Sequence, residues 1–500
     1  MRAKNALLIV ASLLFYSYGE PVFVVLMLFS TLFNYGFGRL LGKTLATSTD
    51  LPSDTSAHQS LNNPAHQPSG TSAHRPPGAA KLIVILAIML NLGMLAVFKY
   101  ANMFIGSVFD LSGQIAVNAG LLAADPPLLE ILLPIGISFY TFQALSYVID
   151  VYRGQVVAQK NYLNILLYIS FFPQLIAGPI VKYHDIAAQL QQRSLSAGRA
   201  AYGFRRFCVG LAKKVLIANS VAICVDTLFD APANDISAAA AWLAALAYLL
   251  QIYYDFSGYS DMAIGLGKMF GFDFKENFRY PYISTTIKEF WRRWHISLST
   301  WFKEYLYIPL GGNRRGRART ALNKLVVFFC TGLWHGANWT FVVWGLFHGV
   351  FLLAEDYLPL KKLPRLLGHI YALLIVCLGF VLFRAADFGQ AALFISQMFT
   401  GWWLTPAAAS LVLSQLNPLF ILVFGCGALG SFGLPDMIRR FRRHPAPASG
   451  APAHAPAASG TIPGQATLRA FSYLGSLALL ALCLLFLASG GYNPFIYFRF

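Results

Sequence analysis

Residues 279–345, RYPYISTTIKEFWRRWHISLSTWFKEYLYIPLGGNRRGRARTALNKLVVFFCTGLWHGANWTFVVWG, hold the side chains best suited to chemistry. His335 lies between apolar runs, where an ionisable group is costly and marks a functional position. A histidine there can serve as a general base on a hydroxyl, because its ordinary pKa lies near working pH. Acyl transfer needs such a base, together with donors for the developing oxyanion. Trp334 and Trp339 could shape an apolar slot beside it, and Asn338 could orient a ring or donate a hydrogen bond. The competing reading is a structural histidine bonded to a broken-helix carbonyl, and chemistry alone leaves both open. His295, flanked by Trp294 and Ser297 and set among arginines, reads as part of a membrane-surface segment. It could bind a donor or polarise a carbonyl, or be an interfacial histidine without chemistry. His348 and His369 read as packed or interfacial, Tyr253, Tyr254 and Tyr259 as an aromatic belt, and Asp255 and Asp261 as pairing partners. No GxSxG, Walker or HExxH motif supports a soluble hydrolase or nucleotide route.

The rest of the chain must hold these positions in place, and its composition says how. Of 500 residues, 57% are hydrophobic and 12% charged, with a mean hydropathy of +0.56. A soluble domain carries about 25% charged residues, so an all-α polytopic membrane protein is expected. The formal charge of +17 comes from basic residues between apolar runs, which fits positive-inside anchoring and argues against nucleic acid. Six cysteines without CxxC spacing read as buried small hydrophobes and give no metal site.

Apolar runs at 5–18 and 22–38, joined by Gly19-Glu20-Pro21, predict an N-terminal transmembrane hairpin over 1–43. Residues 44–80, rich in Ser, Thr, Pro, Ala and His, predict a disordered cytoplasmic loop; His58, His66 and His74 there have nothing to fix a metal geometry. The membrane core spans 81–439, a second flexible loop 440–467, and a last helix 468–500. Within the core, 161–181 is broken by Pro173, Gly178 and Pro179, and basic residues follow it. That combination predicts a re-entrant segment lining a cavity near Pro173 and Gln174. Residues 286–305 read as one amphipathic helix at the membrane surface, with Ile287, Trp291, Trp294, Leu298, Trp301 and Phe302 on one side. Residues 322–358 lie between basic flanks and predict a hairpin of two spans. On this count of about eleven spans, His295 lies on the cytoplasmic side and His335 is approached from outside.

At these residues the sequence resembles the membrane-bound O-acyltransferase family, in its bacterial branch of alginate and peptidoglycan O-acetylation proteins. The resemblance rests on LPIGISFYTFQALSYVIDVYRG from 133, FFPQLIAGPIVKY from 171, YYDFSGYSDMAIGLGKMFGF from 253 and the block at 279–313. FFCTGLWHGANWTFVVWGLFHG from 328 and the terminal NPFIYFRF complete it. It implies helices around a thin centre pierced by a tunnel, in a multi-pass inner-membrane protein. His335 then matches the catalytic histidine and His295 the family's second characteristic position. Trp334, Asn338, Trp294 and Gln174 are the candidate substrate-binding residues. The implied donor is a cytosolic thioester, acetyl-CoA or an acyl carrier, with no bound cofactor and no metal. The acceptor is an exported polysaccharide, reached through a periplasmic SGNH-type serine acetyltransferase as partner. Two alternatives are D-alanyl transfer onto teichoic acid from a carrier protein and a transporter or flippase without covalent chemistry.

Overall fold

The computed structural model describes residues 1–47, 77–108, 131–358, 363–403, 405–433, 465–489 and 495. Most of the two expected low-complexity loops falls outside these residues. So do His58, His66, His74 and the terminal NPFIYFRF apart from Phe495. Among the described residues the regular structure is helical and contains no strand, as expected of a polytopic helical membrane protein. The chain forms two compact units, Met1–Leu175 with Lys182–Arg193, and Ile176–Val181 with Ser194–Phe500.

The first unit opens with the expected hairpin, α1 (Arg2–Gly19) and α2 (Phe23–Thr47), and continues through α3 (Gly78–Leu95) and α4 (Ala101–Val108). α5 (Ile137–Tyr152), α6 (Tyr162–Ser170) and α7 (Tyr183–Gln191) complete it. Several of its buried polar residues are paired with one another. Asn34 of α2 and Asn91 of α3 exchange side-chain hydrogen bonds of 3.0 and 2.8 Å. His184 meets Asp150 at 2.9 Å. The predicted break after α6 is present: α6 stops at Ser170, and a four-residue turn of helix, Phe172–Leu175, follows. Gln174 is fully buried there and donates to the Tyr168 carbonyl at 2.8 Å.

The second unit contains α8 (Ala197–Ala212), α9 (Asn219–Phe229), α10 (Ala238–Met269), α11 (Ile287–Arg293) and α12 (Ile296–Phe302). It continues with α13 (Gly316–His335), α14 (Trp339–Tyr357), α15 (Arg365–Arg384), α16 (Phe388–Thr400), α17 (Pro406–Gln415), α18 (Pro418–Ser431) and α19 (Gln465–Ala488). α10 is its axis, with most of its length buried. α8 approaches it backbone to backbone: a Cβ at Gly210 would lie 2.5 Å from the Gly258 carbonyl oxygen, and one at Gly203 2.4 Å from that of Gly265. Small residues allow such contact, which is how helices associate where lipid removes the hydrophobic drive. The acidic residues of α10 are pairing partners, as expected. Asp261 meets Arg206 at 2.7 Å and Lys213 at 2.6 Å, and Asp255 meets Lys214. The tyrosine belt is not observed: Tyr253 and Tyr254 are buried, and the Tyr254 hydroxyl donates to the Gly427 carbonyl at 2.7 Å.

Among the described residues, five helical stretches are long and apolar enough to cross a membrane: Phe23–Thr47, Gly78–Val108, Ala197–Phe229, Arg365–Arg384 and Ala470–Ala488. The pair α17–α18, bent by 68°, makes a sixth if it crosses as one span. These helices do not fix the expected total of about eleven.

Candidate active site

The segment expected to lie on the membrane surface as one helix is two short helices inside the second unit. α11 ends at Arg293, α12 begins at Ile296, and His295 between them adopts φ 43°, ψ 54°. A left-handed conformation is uncommon for a residue with a Cβ and costs about 1–3 kcal/mol. Surrounding contacts must therefore hold it. The turn points the histidine inward: His295 is completely buried, as are Ile287, Leu298 and Trp294 to within 2%. The alternation of tryptophan and arginine that suggests a surface helix comes instead from a segment whose aromatic side packs into protein.

α11 is fastened at its start. Thr286 caps it by accepting from Glu289 N at 3.1 Å, and Glu289 reaches back to Thr285 N at 3.0 Å, close to a capping box. Burial works to raise the Glu289 carboxyl, but the Thr285 N–H and the Arg293 guanidinium outweigh it and hold it below its ordinary value. The carboxylate of Glu355, near the end of α14, accepts from Ile287 N and Lys288 N. Asp356 beside it pairs with Lys288 of α11 and Lys324 of α13.

α13 and α14 form a helical hairpin where two spans are expected, although neither is among the helices long and apolar enough to cross a membrane, and His335 is the last residue of α13. His335 is 3% exposed, and its Nδ1 lies 2.7 Å from the Thr331 carbonyl oxygen. A carbonyl only accepts, so Nδ1 carries the proton and Nε2 is the nitrogen left to accept one in the neutral ring. The ring is walled by Trp334, Trp344 and Phe383, with centroids at 4.9, 4.8 and 5.5 Å. Trp344, the largest fully buried side chain, and Phe383 were not singled out by the sequence, although WGLFHG lies in the segment that carries the resemblance.

The main correction concerns the two histidines. Rather than lying at opposite faces, His295 and His335 are neighbours, with ring centroids 6.3 Å apart and planes at 83°. Trp334 touches both, 5.6 Å from His295. The two basic flanks point to a hairpin, but the charge rule has no way to register a turn that buries the aromatic side of a basic segment.

The other candidates divide. Trp334 lines the pair. Trp294 does not contact His335 in any described ring pair; it stacks on Phe290 at 5.5 Å and packs on Phe380 at 5.1 Å, supporting α11. Asn338 is committed to the fold: its Oδ1 caps α14 through Thr340 N at 3.0 Å, and its Nδ2 donates to the Ala386 carbonyl at 3.0 Å. Gln174 belongs to the first unit, in the setting given above. Trp339 is 45% exposed. His348 is packed, as expected, against Trp291 and Trp344 at 5.4 and 5.3 Å. His369 lies 3.2 Å from the Ser284 carbonyl.

Three further residues complete the setting of His295 and were not named from the sequence. Phe256 of α10 meets the ring edge to face at 4.7 Å. Phe495, the single described residue of the terminal segment, packs on Phe256 and Tyr259 at 5.9 and 5.0 Å. Asn277, in the extended stretch after α10, is fully buried with its Oδ1 3.2 Å from His295 Nδ1. No periodicity or motif marks a lone asparagine whose partner lies eighteen residues on.

Two buried imidazoles, one with its proton position fixed by a backbone carbonyl, sit in an aromatic wall. Such a site can take a proton from an incoming hydroxyl and shield a thioester from water.

Comparison with known proteins identifies the family. Residues 156–359 match the membrane-bound O-acyltransferase family. A probable alginate O-acetylase of Pseudomonas putida is 38% identical over 100% of this chain and 95% of its own length. The peptidoglycan O-acetyltransferase of Helicobacter pylori is 34% identical over 78% of this chain and 73% of its own. The teichoic acid D-alanyltransferase of Bacillus subtilis is 27% identical over 51% of this chain and 69% of its own. Both histidines lie within the matched family region, and the chain belongs to the membrane-bound O-acyltransferases as an acyl-transferring enzyme of the membrane.

Proposed function

We propose that the protein passes an acetyl group from a cytosolic thioester across the inner membrane for O-acetylation of an exported polysaccharide, of the alginate type or peptidoglycan. The observation that carries the reading is His335, buried beside His295 with its Nδ1 engaged, in a chain alignable end to end with a relative named for alginate O-acetylation. Acetyl is preferred over D-alanyl because the D-alanyl relatives align with only about half of the chain and at lower identity.

His335 is the general base. Its Nε2 takes the proton of the acceptor hydroxyl as that oxygen forms its bond to the acetyl carbon. The tetrahedral intermediate then expels the thiolate by breaking the C–S bond, and the imidazolium returns the proton to the leaving sulfur. The donor is acetyl-CoA or an acetylated carrier, and Trp334 contributes an apolar wall beside both rings. The first acceptor is the polysaccharide itself or the serine of an SGNH-type periplasmic acetyltransferase that completes the transfer.

Inside-out membrane vesicles supplied with acetyl-labelled coenzyme A, or with a labelled carrier, test this directly. Base-labile acetate is expected on the lumenal acceptor, in proportion to the amount of this protein. Label that appears only from a D-alanyl carrier, or no transfer from any thioester, would require another substrate.

A further inference from the structure

Asn277 is bound on every side. Its Oδ1 accepts from Ser297 N at 3.2 Å and from Ser297 Oγ at 2.8 Å, and faces His295 Nδ1 at 3.2 Å. Its Nδ2 faces Ser260 Oγ at 3.0 Å and the Gly178 carbonyl at 3.4 Å. Its own carbonyl accepts from Ile296 N at 2.9 Å, the first amide of α12. Two backbone groups settle which end of the amide is which. Ser297 N can only donate and Gly178 O can only accept, so the oxygen must face α12 and the nitrogen Gly178.

With that orientation fixed, the histidine has one choice. Nδ1 faces an acceptor, so it must carry the proton. The alternative, an unprotonated Nδ1 accepting from Ser297 Oγ, would use a 3.5 Å contact and forfeit the 2.8 Å bond that hydroxyl makes to Asn277. Ser297 Oγ meanwhile accepts from Ile180 N at 2.9 Å, so the network closes with every proton placed. In the neutral ring, Nε2 is then the bare lone pair. It is buried and has no hydrogen-bond partner among the described residues.

We infer that Asn277 is a positioning residue that fixes His295 as the Nδ1–H tautomer and presents Nε2 as an acceptor. The inference rests on the acyl-transfer reading for its catalytic meaning, though not for its geometry. It decides between the two chemistries open to His295. A neutral ring with Nδ1–H committed to Asn277 has no N–H left with which to polarise a carbonyl. It can instead accept from an O–H or S–H group, or from a protonated His335 ring 6.3 Å away. The ligand class that matches is therefore a hydroxyl or thiol, on the acceptor or on the departing donor, and not a carbonyl oxygen. The strained φ of 43° at His295 has its counterpart here, since the same asparagine holds Ile296 N, Ser297 N and the ring of the kinked residue.

Nitrogen-15 magnetic resonance of histidine-labelled protein in membranes reads the tautomer without reference to activity. The His295 signals, identified by their loss in His295→Gln, are expected to show protonated Nδ1 and unprotonated Nε2 at neutral pH. A protonated Nε2 in the neutral ring would overturn the assignment. In Asn277→Asp the carboxylate favours the charged ring, so both nitrogens should be protonated at pH 7. The acid limb of the transfer rate should then move up by about 1–3 pH units. Asn277→Ala should lower transfer about 10–100-fold at matched membrane levels, the range for residues that orient a functional imidazole. In a His295→Gln background the same change should cost nothing further. An equal loss in both backgrounds would mean that Asn277 serves the fold and not the ring. Absence of acetyl transfer in the unaltered protein would remove the proposed function while leaving the resonance assignment to stand or fall by itself.

Discussion

His335→Gln should reduce acetyl transfer by about 10²–10⁴-fold while leaving the protein folded and present in the membrane. Glutamine is a polar side chain of similar length whose amide nitrogen stands where Nε2 was, so the aromatic wall remains largely filled. It has no nitrogen that takes a proton near neutral pH. The substitution thus separates the proton-transfer role from the packing role, which His335→Ala does not, because alanine also opens a cavity among Trp334, Trp344 and Phe383. The readout is the initial rate of base-labile acetate formation on the exported polysaccharide, compared at equal membrane abundance. A rate within about threefold of the unaltered protein would remove His335 from the chemistry, since loss of a general base cannot be that mild. Raising the pH should not rescue the variant, because glutamine has no conjugate acid to deprotonate over that range. Lost transfer with normal levels and normal thermal stability would assign the proton to this ring.

The sequence was legible where the physics is local and opaque where it is not. His335 stood out because an ionisable residue between apolar runs is expensive wherever it ends up, and the hairpin that carries it follows from two basic flanks. The break after Ser170 was announced by Pro173, Gly178 and Pro179, whose effects on the backbone need no tertiary context. His295 was placed at the wrong depth. A helical periodicity over 286–305 gives one amphipathic helix only if φ stays helical throughout, and the left-handed turn at His295 is imposed by distant partners on Asn277 and α10. Asn338 was misjudged for the opposite reason. Beside a functional histidine it looked available, yet an asparagine one residue before a helix most often caps it, and here it does. The resemblance singled out both histidines, and the structure brought them together and supplied the hydrogen bonds that orient each ring.

Gly345→Ala should impair the enzyme through one added methyl group, placed where the hairpin admits none. A Cβ at Gly345 would lie 2.2 Å from the Phe328 carbonyl oxygen and 3.0 Å from Gly332 N, and the reciprocal Gly332 faces the Phe341 carbonyl at 2.3 Å. Ordinary contact begins near 3.4 Å, so α13 and α14 must separate by roughly 1 Å along this line. The listeners to that shift are adjacent in sequence: Trp344 precedes Gly345, and His335 lies three residues beyond Gly332 on α13. Their 4.8 Å ring contact spans the two helices and cannot survive the separation unchanged. Overpacking of this kind costs about 1–3 kcal/mol of stability, while a displacement of ~1 Å in a reacting group can cost about 10²-fold in rate. Gly349→Ala is the internal control. One turn along α14, its nearest neighbours are the Phe328 Cβ at 3.1 Å and the Leu325 Cδ2 at 3.3 Å, both within a few tenths of an ångström of ordinary contact. The expected order is a large loss of transfer and a lowered melting temperature for Gly345→Ala, against a rate within about threefold for Gly349→Ala, whose clash needs a shift of only tenths of an ångström. Equal behaviour of the two variants would mean that the hairpin seam does not set the position of His335. The predicted gap between them instead ties the position of the His335 ring to the backbone contact behind it, which small residues at 332 and 345 permit.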